Sequence, residues 1–120
     1  MDAKSKREAS NPGDLAKPVP TLVTYRVKKG RENEFVRLLA KHWPTLNQLG
    51  LVSKDRPRYW RAIDKRDHEK VSFVELFTWK DGKSADVAHQ TPEVMALWEP
   101  MGPMLEGLDL QAVEPLDLGH

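Results

Sequence analysis

The 120-residue chain contains no cysteine. Neither a disulfide framework nor thiolate chemistry is therefore available to it. That fits a reducing compartment, and the expected location is cytoplasmic. It has no apolar run near the roughly 20 residues that a bilayer span needs. Residues 1–14 are polar, without the apolar core of a secretory signal, so no membrane partner is expected. There is no P-loop and no GxGxxG fingerprint. A dominant charge is also missing, since the formal net charge is +1. Residues 54–70 mix both signs around only two aromatics, Tyr59 and Trp60. That stretch reads as a solvated hairpin, and no nucleic-acid partner is expected. His89 has no second histidine or close acid at ligand spacing, so no metal site is expected.

Hydrophobic residues make up 39% of the chain, with four Trp, three Phe and two Tyr. One modest domain fits this length, with much of its core supplied by large rings. Charge is distributed unevenly. The first 83 residues hold 19 basic and 11 acidic side chains, and the remainder holds seven acids and no lysine or arginine. Such polarity is neutralised within one fold or between two copies.

Residues 1–20 read as a flexible tail with three prolines. Thr21 to Val27 is rich in β-formers and predicts a first strand. After the Lys28-Lys29-Gly30 turn, Phe35, Leu38, Leu39, Trp43, Leu46 and Leu49 recur at helical spacing, with Pro44 inside and Gly50 as the stop. Arg58 to Asp64 and Val71 to Trp79 predict two more strands. Asp81 can cap a short helix ending near His89. Thr91 and Pro92 open another helix, carrying Val94, Leu97, Trp98, Met101 and Leu105. Leu108 to Val113 predicts the last strand. The order β-α-β-β-α-α-β is the split βαβ arrangement, an α+β ferredoxin-like fold with a four-stranded antiparallel sheet and helices on one face. Right-handed crossovers place strands one and three in the middle.

Alternation along the third strand puts Phe73, Glu75, Phe77 and Trp79 on one face and Val74 and Leu76 on the other. A face with three aromatics and an acid predicts cover from something other than the chain's own helices. If Arg26 and Glu75 share that face, they form an ion pair between the central strands. His42 and His68 read as a helix-surface and a loop residue without chemistry. Trp43 and Trp98 read as core residues on helix stripes. Met95, Met101 and Met104 are adaptable fillers suited to a pocket for a flat ligand.

Three features together carry a resemblance over residues 21–115. They are the Val27-Lys28-Lys29-Gly30 turn into a helix, the Glu75 to Trp79 strand, and His89 ahead of Pro92 and the Val94 to Trp98 helix. The chain resembles the antibiotic biosynthesis monooxygenase family of the dimeric α/β-barrel superfamily. The resemblance implies a homodimer with sheets paired face to face, and a cavity between sheet and helices. It implies a cofactor-free monooxygenase of a planar phenolic or quinol compound. Beyond the domain, residues 116–120 read as a short C-terminal tail. In that reading His89 is the general base, Trp79 a stacking wall, and Arg26 or Arg61 an anion anchor. Thr24, Phe73, Glu75 and Phe77 complete the substrate-binding set. Two alternatives accompany it: a non-catalytic ligand-binding or structural dimer, and heme binding or degradation with His89 on iron. The heme-degrading relatives carry an asparagine in the first strand, which this chain lacks between Thr21 and Val27.

Overall fold

A computed structural model of the chain describes residues 15–120; the predicted tail over residues 1–14 lies outside the described residues. Four strands, β1 (Val19–Val27), β2 (Arg58–Ile63), β3 (Val71–Trp79) and β4 (Leu105–Ala112), combine with three helices in the order β-α-β-β-α-α-β. The helices are α1 (Glu32–Gln48), α2 (Ser84–His89) and α3 (Pro92–Met101), with a 3-10 turn over Gly102–Met104. The sheet is antiparallel in the order β2-β3-β1-β4, so the predicted central pair is β1 and β3. β1 starts at Val19, inside the segment read as tail, because Val19 and Pro20 pair with Trp79 and Thr78.

Helix α1 buries Phe35, Leu39, His42 and Leu46, one stripe at spacings of four, three and four. The helix continues through Pro44. It ends in a Schellman motif: Gly50 N–H donates to Asn47 O and Leu51 N–H to Leu46 O, both at 3.0 Å. Gly50 sits at φ +73°, where a side chain is strained. Thr91 and Pro92 open α3 as predicted, but the Thr91 hydroxyl donates backward to Val87 O rather than capping forward. Asp81 Oδ1 accepts from Lys83 N–H and Ser84 Oγ, fixing the start of α2.

The core lies between the helices and one sheet face. Phe35 is fully buried against Tyr25 (ring centroids 4.9 Å) and Phe73 (5.7 Å). Truncating such a ring costs about 3–5 kcal/mol.

One expectation is overturned here. Phe73, Phe77 and Trp79 are buried within the single chain, at 7%, 3% and 8% exposure. Strand parity separates two faces but does not say which one the helices cover. They cover the aromatic one. The open face instead carries Leu22, Thr24 and Arg26 of β1, Val74 and Leu76 of β3, and Trp60 of β2, which is 43% exposed.

Candidate active site between the sheet and helices α2 and α3

A cleft of about 460 Å³ lies on the helix-covered face. Phe77 and Trp79 of β3 line it, joined by His89 at the end of α2 and Trp98 of α3. Methionines 95 and 101 add adaptable apolar surface, and His42 of α1 lines its inner wall. The Phe77 and Trp79 rings meet edge to face at 4.9 Å. His89 is exposed, and its ring lies 4.8 Å from that of Trp98. The cleft thus offers flat apolar walls with imidazoles at two depths, a setting suited to a planar aromatic guest.

Behind the wall runs a hydrogen-bonded chain that the sequence reading missed. Glu75 is fully buried and His42 is 2% exposed. His42 Nδ1 lies 2.9 Å from Glu75 Oε2 and 3.1 Å from Oε1. The Tyr25 hydroxyl donates to Oε1 at 2.7 Å. Trp98 Nε1–H donates to His42 Nε2 at 2.9 Å. Indole is a donor only, so His42 Nε2 must be the acceptor. That assigns the Nδ1–H tautomer to His42, with Nδ1 donating to the carboxylate. Burial, and then the neighbouring Glu75, push the Tyr25 phenol well above its ordinary range. The same two causes raise Tyr59, which faces Glu75 across the β2–β3 register.

His42 is therefore buried, where a helix-surface residue was expected. Trp98, read as plain core, holds a polar role. Phe35, Leu39, His42 and Leu46 stand at i, i+4, i+7 and i+11. That spacing was the signal that could have placed His42 on the buried stripe.

The predicted set divides among three places. His89, Trp79 and Phe77 come together in the cleft, with Glu75 one layer behind it. Thr24 and Arg26 stand on the open sheet face, away from the cleft. Arg26 does not pair with Glu75, because the two point to opposite faces. Its guanidinium crosses over Gly107, where no Cβ intervenes, and meets Asp109 Oδ2 at 2.5 Å. That contact raises Arg26 and lowers Asp109 from their ordinary pKa values. Arg61 and Phe73 line a second cleft between α1 and β2, beside Trp43, Arg56 and Tyr59. Neither arginine can serve as an anion anchor in the first cleft. Among the described residues no group of three His, Asp or Glu side chains is placed to hold a metal ion. No described helix is long and apolar enough to cross a membrane.

No family model and no curated protein matches the chain. Solved structures do. SnoaB from Streptomyces nogalater, described as a cofactor-independent oxygenase, superposes in a mutant form with a TM-score of 0.65 at 18% identity. The match covers 88% of this chain and all of that one. An antibiotic biosynthesis monooxygenase matches with a TM-score of 0.62 at 14% identity, over 82% of this chain and 99% of its own. PA3566 from Pseudomonas aeruginosa matches with a TM-score of 0.63 at 14% identity, over 86% of this chain and 98% of its own. At these identities the shared property is architecture, and the chain has the antibiotic biosynthesis monooxygenase-like fold.

Proposed function

We propose that this protein is a cofactor-free oxygenase of a planar phenolic or quinol compound, acting as a homodimer. One observation carries the reading: an apolar, aromatic-walled cleft with two histidines on its lining, and no arginine among the lining residues. Such a cleft takes a flat, largely uncharged ring and places a hydroxyl beside a base. Removing the hydroxyl proton gives an electron-rich anion, and dioxygen is the oxidant that this anion reduces. Trp79 supplies the wall against the ring. The likeness to a cofactor-independent oxygenase supports this choice at the level of the fold.

The dimer reading rests on the open sheet face, where Leu22, Trp60, Val74 and Leu76 form an apolar patch that the described helices do not cover. A stable interface buries about 800 Å² on each partner, and a four-stranded face is of that order.

The test is oxygen uptake with a panel of hydroquinones, in protein freed of metal and flavin. Uptake above the uncatalysed rate that falls about tenfold or more in Trp79→Ala supports the reading. Uptake no faster than in buffer, for every compound, contradicts it. A Soret band on adding hemin, lost in His89→Ala, would transfer the assignment to heme binding.

A further inference from the structure

We infer that His42, held by Glu75, is the proton acceptor of the cleft, and that Trp98 guards it. This rests on the phenol-oxidising reading above and names the base within it.

A carboxylate on Nδ1–H fixes an imidazole with its Nε2 lone pair outward, the arrangement that makes histidine a directed general base. His42 has this arrangement, with Glu75 at 2.9 Å and Trp98 Nε1–H occupying the lone pair at 2.9 Å. Both His42 and Trp98 line the cleft. A phenolic hydroxyl that takes the place of the indole N–H stands within the roughly 2.6–3.2 Å that proton transfer needs. The O–H bond then breaks and Nε2–H forms. The positive charge sits on an imidazolium already paired with Glu75, and the negative charge on the phenolate oxygen.

Stability alone gives a poor account of this arrangement. A fully buried carboxylate under an apolar core costs free energy, and a hydrophobic side chain of similar volume would pack there without that cost. His89 is the weaker base candidate on geometry. It is exposed, no carboxylate among the described residues is bonded to it, and its ring contact is with Trp98 at 4.8 Å. The other titratable groups around His42 are Tyr25 from β1, Tyr59 from β2 and Glu75 from β3. His89 from α2 and Glu99 from α3 reach it only through the cleft. Glu75 is a positioning residue in this scheme, since it touches His42 and not the guest.

The probe is 4-nitrophenol, whose colour reports its ionisation. Bound to the wild-type protein at a pH below its own pKa, it takes the coloured, ionised form. In His42→Gln the bound ionised fraction drops by about tenfold or more, and Glu75→Gln gives an intermediate drop together with a shifted pH profile. In His89→Gln the bound ionised fraction falls by less than in His42→Gln. Trp98→Phe keeps a ring but removes the competing donor, so it binds the phenol about two- to tenfold more tightly. This second variant tests the idea even if His42→Gln does not fold. Colour lost in His89→Gln and kept in His42→Gln overturns the assignment, as does weaker binding by Trp98→Phe. If the wild type binds the phenol only in its neutral form yet consumes oxygen with hydroquinones, the His42 assignment fails and the oxygenase reading stands. If it does neither, both fail.

Discussion

Glu75 and His42 are 33 positions apart in sequence and 2.9 Å apart in the fold, exposing 0% and 2% of their side chains. A pair so deep must satisfy its polar atoms internally, because no water competes for them. Tyr25 and Trp98 complete that satisfaction from β1 and α3.

Exchanging Glu75 for Gln keeps the shape and inverts one half of the carboxylate. The new NH2 must face either the Tyr25 hydroxyl, whose O–H then loses its acceptor, or His42 Nδ1–H, which then meets another donor. Turning His42 to its other tautomer only moves the conflict to the Trp98 N–H. We expect Glu75→Gln to lower unfolding free energy by about 2 kcal/mol, measured by urea denaturation. A loss below about 0.5 kcal/mol would mean that the network is relaxed in solution.

The two tyrosines are the chain's only phenols, and both are pushed up from their ordinary value of 10.0. For Tyr25 the folded state holds the proton more tightly than the unfolded state. Its contribution to stability is therefore complete below about pH 10 and is lost as pH climbs beyond that value. From there it removes about 1.4 kcal/mol per pH unit. Spectrophotometric titration should show no normal phenol ionisation near pH 10 in the folded protein. Ionisation should instead accompany unfolding. A smooth two-phenol titration of the intact fold near pH 10 would contradict the burial of Tyr25.

The open sheet face sets the expected oligomer. Leu76 lies opposite Leu22 of β1 and Arg58 of β2 in the middle of that face. Light scattering on the wild type at micromolar concentration should give twice the 13.7 kDa chain mass. Leu76→Glu places a charge in the proposed interface and should give the single-chain mass with unchanged circular dichroism. A wild type that is already monomeric there would remove the dimer from the account.

Gly50 closes the Schellman motif at φ +73° with nothing near its would-be Cβ. Gly50→Ala should therefore cost about 1 kcal/mol through backbone strain alone. A melting-temperature change within error would show that the turn adjusts freely.

Much of the fold was legible in the sequence. The strand from Val71 to Trp79 is bounded as its β-formers predict, and Thr91-Pro92 opens α3 at the expected residue. These features are local and reflect one dominant cause each. What was not legible depends on distant pairing. The side on which Phe73 and Trp79 lie follows from strand parity, but helix cover of that side is a tertiary fact. Arg26 was expected near Glu75 because both sit on central strands. The register instead pairs Arg26 with Ser72 and Val23 with Glu75, which sends the two side chains to opposite faces. His42 was readable in principle from its spacing to Phe35, Leu39 and Leu46. A histidine's polarity argued for the surface, and its buried partner lies on another element.

The most direct test is a crystal structure grown anaerobically with 1,4-naphthohydroquinone, which keeps the ring reduced and bound. The ring is expected against Trp79 in the cleft beside α2 and α3, with one hydroxyl within hydrogen-bond reach of His42 Nε2 and Trp98 displaced from it. A ring seated in the other cleft beside Trp43 and Arg61, or an undisturbed Trp98–His42 bond with the ligand present, would contradict it.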